Sequence, residues 1–321
     1  MDFVLSDDQQ ALQSELRRFL SNTVDHDRRA AAMELPGAVD RELWSELADM
    51  GVFGIHTPED KGGVGLGFAD ATIVFEELGR AAVPGPSIST CLAATLGVPG
   101  AADGTNVIGI VGADTLLVEH LDGLDILLMH HDGLVERVVP PTGTLLPRPL
   151  DPLTPVSRVE RMPAGEEISK QADRVIRQGK LLSAAFQVGL GQAAVDLGTE
   201  YAKQRQQFDK VIGSFQAVKH LLADATVSLD VARAAVQAAA VALDEAASDG
   251  AATAGRSMGV DAARLVASEA AQRATEACIQ VHGGIGFTWE LDAHLFLKRS
   301  LVLDTTFGTV HASHAAVAAT L

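Results

Sequence analysis

Cysteine, positive charge and recognisable cofactor fingerprints are all scarce in this sequence. Two cysteines, Cys91 and Cys278, stand far apart in 321 residues. That excludes a disulfide framework and the paired spacing of a zinc site, and it fits a reducing compartment. Only 25 Lys and Arg oppose 42 Asp and Glu, giving a net charge of −17. A nucleic-acid partner needs a basic footprint, so that class is excluded. The opening MDFVLSDDQQ is acidic and lacks a basic region followed by an apolar run, so no signal peptide is expected. No stretch reads as long and apolar enough to span a bilayer. The expectation is a cytoplasmic protein with no membrane partner.

The glycine-rich GGVGLG at 62–67 follows an apolar VFGI, but its spacing is G-x-G-x-G. No β-α-β unit with an acidic residue about 20 positions on follows, so it reads as a loop and not a dinucleotide fingerprint. His311 and His314 lack cysteine or carboxylate partners on their segment, and no metal site is expected. His130 and His131 point to opposite faces if they lie on a strand, and read as surface or turn residues.

What is present is 47% hydrophobic, enough for a folded chain with a large core. Ser6 and Gln9 form a capping box before a helix with Leu12, Leu16 and Phe19 on one face. Asp40 caps a second helix carrying Leu43, Leu47 and Met50, ended by Gly51. A third carries Ala71, Phe75 and Leu78, with Gly79 as its stop, and Pro84-Gly85-Pro86 breaks the chain before a helix over 87–96. From about residue 99 short apolar runs alternate with Gly, Asp and Pro, a strand-and-turn texture. It ends in the proline-dense LLPRPLDPLTP, which cannot be helical. From about Glu166 the chain reads as helical almost throughout: one long segment begins with Leu181, Leu182, Ala185 and Val188. Ser214 caps a second, with Val218, Leu222, Ala225 and Leu229, running to about Ser248. A third spans 257–281, and Thr288 caps a fourth with Leu291, Leu295 and Val302. The fold class is mostly α with a small β middle domain. The divisions are 1–98 (N-terminal helical domain), 99–165 (reduced β domain) and 166–321 (C-terminal four-helix bundle).

Two segments carry chemical information. In YAKQRQQFDKVIGSFQAVKH, 201–220, Lys203, Arg205 and Lys210 surround Phe208 in an otherwise acidic protein. A guanidinium, an aromatic ring and polar side chains suit a phosphate-bearing, ring-bearing ligand. The bland alternative is a solvated helix end with cations at the favourable pole of the dipole. In QVHGGIGFTWE, 280–290, Gly283, Gly284 and Gly286 follow a long Ala-rich stretch. One glycine suffices for a helix C-cap; three suggest a close approach of another chain or a ligand.

The order helix–β–helix, the R-x-x-F of Arg205 and Phe208, and the later Q-x-H-G-G-x-G-F beginning at Gln280 resemble the acyl-CoA dehydrogenase family, strongly over 181–303 and well over 3–90. The resemblance implies an FAD lying between subunits. Arg205, Gln207 and Phe208 would meet the pyrophosphate and adenosine end of a partner's FAD, and Gln280, Gly283 and Gly284 would let it approach the backbone. Asp209 departs from the family, which has glycine after the Phe; it must turn away or pair with Lys210 to spare the pyrophosphate.

The family also needs a glutamate base. At its usual position, before Gly308-Thr309, stands Phe307; at its minority position stands Gly179, with Lys180 beside it. Asp304 and Glu290 are poorly placed to replace it. The family's flavin-facing middle segment and its Trp-bearing strand are missing, Trp44 and Trp289 lying elsewhere. The combination resembles the shortened subunits of actinobacterial heterotetrameric acyl-CoA dehydrogenases of the steroid side-chain type. It implies an α2β2 assembly in which a full-length partner holds most of the FAD, the acyl-CoA and the base. Two alternatives remain: a scaffold subunit that binds no flavin, and a homo-oligomeric acyl-CoA enzyme with altered chemistry.

Overall fold

The computed structural model describes residues 4–35, 37–249 and 254–320, with the side chains of 246–249 and 254–258 left aside. The N-terminal helices are α1 (Asp7–Thr23), α2 (His26–Glu34), α3 (Arg41–Asp49), α4 (Phe68–Arg80) and α5 (Ser87–Thr95). Ser6 Oγ accepts from the Gln9 amide at 3.2 Å and Gln9 Oε1 from the Ser6 amide at 3.1 Å, closing the expected capping box. Asp40 caps α3 through the Leu43 amide. The unforeseen helix is α2. It buries none of its residues and so lacks an apolar stripe to read. Arg29 ties it down, donating to Asp292 and to the carbonyls of Val24 and Ala81.

Trp44, Leu47, Phe53, Phe75 and Leu78 are fully buried in the core of this region, each stabilising by about 1.5–3 kcal/mol. Gly79 does not stop α4, which continues to Arg80. A β-carbon there would lie 2.7 Å from the carbonyl carbon of Phe186, and one on Gly189 would lie 2.6 Å from the Arg80 amide nitrogen. The two glycines let α4 cross the first bundle helix at backbone contact.

The middle region holds seven short strands in two sheets. β1 (Ile108–Gly112), β3 (Ile126–His131), β4 (Leu134–Val138) and β7 (Glu166–Ser169) form one, in the order β1-β3-β4-β7. β1 and β3 are parallel, the other pairs antiparallel. β2 (Leu117–Glu119), β6 (Val156–Arg158) and β5 (Thr144–Leu145) form the other. Asp132 and Gly133, both at positive φ, make the two-residue turn between β3 and β4. The expectation of helix from Glu166 is corrected: Glu166 and Glu167 pair with β4, and the helix starts at Ala172.

The C-terminal bundle consists of α6 (Ala172–Gln204), α7 (Gln216–Asp249), α8 (Ala254–His282) and α9 (Ala293–Leu303), followed by α10 (Val310–Ala318). α9 has 11 residues, so the fourth helix is short. Two expected caps are not caps: Ser214 Oγ donates to the Val211 carbonyl and Thr288 Oγ1 to the Ile285 carbonyl, each closing a turn before its helix begins. α10, with Thr309 as its N-cap, is short and rich in alanine and valine on all sides, so it shows no stripe.

α7 corrects another expectation. Its segment Gln216–Glu245, with mean hydropathy 1.3, is long and apolar enough to cross a membrane by length and composition. Yet Leu229, Ala232 and Val236 are buried and Arg233 is paired with Glu76 at 2.9 Å. It packs within the bundle against α6 and α8, while Val227 and Val231 remain exposed.

Candidate functional site

α6 ends at Gln204, and the chain folds into a two-residue hairpin, β8 (Gln206–Gln207) and β9 (Lys210–Val211). Its tip is Phe208 and Asp209, at φ +53° and +62°. A primed turn demands positive φ at both central positions, where glycine, asparagine and aspartate are at ease. Asp209 is therefore a left-handed-tolerant residue in a place that also suits glycine. It does not pair with Lys210 among the described residues; Lys210 Nζ sits 4.3 Å from the centre of the Phe215 ring. Phe208 is a bulky residue in the left-handed region, an unfavourable state for its type, and it is 84% exposed. The backbone thus holds an aromatic ring out in water.

α8 ends beside this hairpin. Tyr201, one turn before Arg205, stacks on His282 with centroids 4.3 Å apart. Gly198 lies against the Cys278 backbone. His282 Nδ1 is 2.8 Å from the Cys278 carbonyl. The helix therefore terminates next to the hairpin, at Gly283 in the left-handed conformation (φ +65°). Gly286 is required by packing, since a β-carbon would meet the Ile279 carbonyl at 3.0 Å. Gly284 has neither a positive φ nor any neighbour within 4 Å of an added β-carbon. Nothing inside the chain requires glycine there. Arg205, Gln207, Phe208, Gln280, Gly283 and Gly284 all face solvent and share one end of the bundle.

Phe307 and Gly179, the two positions where the resemblance leads one to expect a base, meet in the fold. Phe307, also at positive φ (+53°), packs its ring on Gly179 of α6: a β-carbon on that glycine would come within 2.7 Å of three ring carbons. The loop carrying Phe307 is held by Arg264, a fully buried arginine of α8. Its Nη2 donates to the carbonyls of Leu303, Thr306 and Gly308. Burial lowers the Arg264 pKa to about 10, against the pull of Asp304 and Asp261. Asp304 accepts from Gln187 and Gln272, both at 2.7 Å, and Lys180 is paired with Asp261 at 2.7 Å. Arg264 Nε and Nη1, also buried, have no hydrogen-bond partner among the described residues. Glu290 lies on the surface by α2, near His26 and Asp196.

A cleft of about 630 Å³ opens between the β region, α5, α9 and the 304–309 loop. Its walls include Ile88, Val111, Leu117, Phe186, Val302 and Phe307, with Glu119, His120, Asp151 and Arg299 among the polar groups. Arg299 and Asp151 form a buried ion pair. Burial raises the Glu119 carboxyl to about 7, against the pull of Arg299. Burial, assisted by Arg299, drops the His120 imidazole to about 3. His130, expected at the surface, also lines this cleft, whereas His131 lies 3.3 Å from Glu136. Both cysteines are buried, which pushes their thiols to about 12 and leaves them un-ionised at neutral pH. No group of three metal-ligating side chains occurs among the described residues.

Residues 6–105 match the family model for the acyl-CoA dehydrogenase N-terminal domain and residues 170–321 that for the acyl-CoA dehydrogenase C-terminal domain. The chain belongs to the acyl-CoA dehydrogenase family. It is 36% identical over 282 residues to the acyl-CoA dehydrogenase IpdE2 of Mycobacterium tuberculosis, spanning 84% of this chain and 83% of IpdE2. Among solved structures, the ChsE4-ChsE5 complex of M. tuberculosis has the same fold, with TM-score 0.83 at 21% identity over 99% of this chain and 98% of that one. A variant of the steroid ACAD Tcur3481-Tcur3483 gives TM-score 0.82 at 22% identity over 98% and 97%.

Four features of this acyl-CoA dehydrogenase family member escaped the sequence reading. Arg264 is one arginine in an alanine-rich helix, and nothing local marks it. Asp151 and Arg299 lie far apart in sequence and meet only through the fold. Glu119 did leave a signal, a lone acid inside the apolar run TLLVEHL.

Proposed function

We propose that this chain is a subunit of a hetero-oligomeric, FAD-dependent acyl-CoA dehydrogenase. It contributes the outer clasp for a partner's FAD and no base of its own. The observation that carries this reading is the contrast between its two ends. Both base positions are sealed by Phe307 on Gly179, while the hairpin and the α8 terminus stay exposed with a glycine, Gly284, that nothing in the chain explains.

The residues fit the distal half of a dinucleotide. Arg205 offers a planar charged fork to a pyrophosphate, Phe208 an exposed ring face to adenine, and Gln207 and Gln280 hydrogen-bonding amides. Gly283 and Gly284 leave the backbone open to close approach. The chain's own cleft does not fit an isoalloxazine in the same way: its wall carries the buried Asp151 and the Glu119 carboxyl.

When bound, FAD accepts the hydride lost from the acyl β-carbon. The α-proton must go to a carboxylate placed at hydrogen-bond reach. Here Phe307 and Gly179 present no basic atom, and Asp304 is engaged by two glutamines, so the partner supplies the base. The proposed assembly is an α2β2 heterotetramer with a full-length subunit, and the proposed substrate is a steroid side-chain CoA thioester held mainly by that partner. Likeness in fold to ChsE4-ChsE5 and to a steroid ACAD supports both points. The test is co-expression with a full-length family member encoded beside this chain. Dehydrogenase turnover and bound flavin are expected only in the mixed complex.

A further inference from the structure

α2 buries none of its residues, yet one of its side chains joins three parts of the chain. Arg29 Nη1 donates to the Val24 carbonyl at 2.7 Å, where α1 ends, and to the Ala81 carbonyl at 2.9 Å, where α4 ends. Its Nε and Nη2 both donate to Asp292 Oδ2, at 3.1 and 2.7 Å. The two side chains are only 11% and 10% exposed, so salt screens the pair little. His26, also on α2, places its Nδ1 2.9 Å from Asp292 Oδ1. Asp292 stands at the N-cap position of α9, but its side chain makes no capping hydrogen bond among the described residues. An aspartate there ordinarily accepts from an amide of the first helical turn. Its carboxylate is turned toward α2 instead, and both oxygens are taken. The short helix α9 forgoes a cap that its sequence supplies, and the return lies in what precedes Asp292.

That preceding segment is the glycine turn. The Thr288 amide and Oγ1 donate to the Ile285 carbonyl at 3.0 and 2.8 Å, and the Leu291 amide donates to the Thr288 carbonyl at 3.4 Å. Trp289 meets the buried His294 edge to face, with centroids 4.7 Å apart. At the other end His282 is stacked on Tyr201. Between these anchors Gly283, Gly284 and Phe287 stand exposed. A backbone that holds a ligand by close approach must already be in place, because ordering it on binding subtracts from affinity. We infer that Arg29 is a positioning residue for the clasp: through Asp292 it fixes the 283–292 turn from the N-terminal region. α2 therefore serves the end of the bundle and not the core. This inference rests on the reading of that turn as part of a flavin clasp.

The test has two parts. Hydrogen exchange in the isolated full chain needs no flavin. Arg29→Met is expected to quicken exchange across 283–292 about tenfold, while the 206–211 hairpin and α6 keep their rates. Asp292→Asn keeps an acceptor oxygen but not the charge; it is expected to give the same pattern, and it decides the question if the Met variant does not fold. Flavin affinity is then measured in the mixed complex with a full-length family member, stripped of flavin and titrated with FAD. Arg29→Met is expected to weaken binding about fivefold or more. Arg29→Lys keeps a cation beside Asp292 without the planar fork and is expected to weaken it only about twofold. Arg205→Glu separates this inference from the one beneath it. If Arg205→Glu releases flavin and Arg29→Met does not, Arg29 has no positioning role. If Arg205→Glu leaves flavin bound, the clasp reading itself fails, and a positioning role for that clasp falls with it. Unchanged exchange over 283–292, or an equal rise in every segment, would overturn the inference by itself.

Discussion

The ring of Phe307 rests on the α-carbon of Gly179, filling the space a side chain would need: three of its ring carbons would lie within 2.7 Å of a β-carbon there. Phe307 and Gly179 are thus a knob and a hole. Each substitution makes sense of the other, because a left-handed Phe307 (φ +53°) is tolerated when its ring has a pocket to fill.

This pairing predicts energetic coupling. Gly179→Ala puts a methyl group into the ring and is expected to destabilise the chain by about 1–3 kcal/mol, as overpacking does. In a Phe307→Gly background the same change has room, and its cost is expected to fall by more than half. Urea unfolding of the four proteins in the cycle measures this; additive costs would mean the contact is not the constraint.

Arg264 predicts a second stability effect. Its Nη2 serves three carbonyls of the 303–308 segment, and Arg264→Met leaves them without that donor. A loss of about 2–4 kcal/mol is expected, from roughly 1–3 kcal/mol per buried unsatisfied group, partly relieved by removing a buried cation. Hydrogen exchange should quicken over 303–309 before it quickens in α6.

The proposed clasp predicts the reverse pattern, function lost with stability kept. Gly284→Val places a side chain where nothing in the chain stands within 4 Å; unfolding of the isolated chain is expected to shift by less than about 1 kcal/mol. Arg205→Glu, at an exposed site, should be similarly silent. In the mixed complex both are expected to release flavin, read by its absorbance after gel filtration.

Glu119 and His120 predict a pH signature. Burial raises Glu119 from 4.5 to about 7, so in that interval the folded chain keeps a proton that the unfolded chain releases. This group's contribution falls as pH rises through it. His120, lowered from 6.5 to about 3, works oppositely: the unfolded chain takes up a proton first, and stability is lost as pH falls from about 6.5 toward 3. Between about pH 4.5 and 6.5 the two slopes offset each other. Glu119→Gln removes one of them. Its melting temperature should therefore rise relative to the unsubstituted chain from pH 5 to pH 8, and a gap constant with pH would contradict this.

Most of the fold was legible because it is written in local periodicity. The capping box at Ser6, the Asp40 cap and the long apolar stripes of the bundle each report on their own segment. What was illegible depended on distant partners. Gly79 looked like a stop and is a crossing point, because the carbonyl of Phe186 that it accommodates lies elsewhere in the chain. Ser214 and Thr288 looked like caps and close turns. α2 buries nothing and so left no pattern. The candidate site divided in the same way. Arg205, Phe208 and the glycines stood out as motifs, and Phe307 and Gly179 as departures from what the resemblance leads one to expect. That those two residues pack on each other, and that Arg299 and Glu119 line one cleft, only the folded chain brings out.

The most direct measurement is a visible absorption spectrum, taken first on this chain alone and then on the complex with a full-length family member encoded beside it. A colourless chain that becomes yellow in the complex, with one flavin per unlike pair, is the predicted result. A chain that is yellow by itself and oxidises an acyl-CoA as a homo-oligomer would contradict the account, since its own cleft would then hold the flavin and some group other than residues 179 and 307 would be taking the proton.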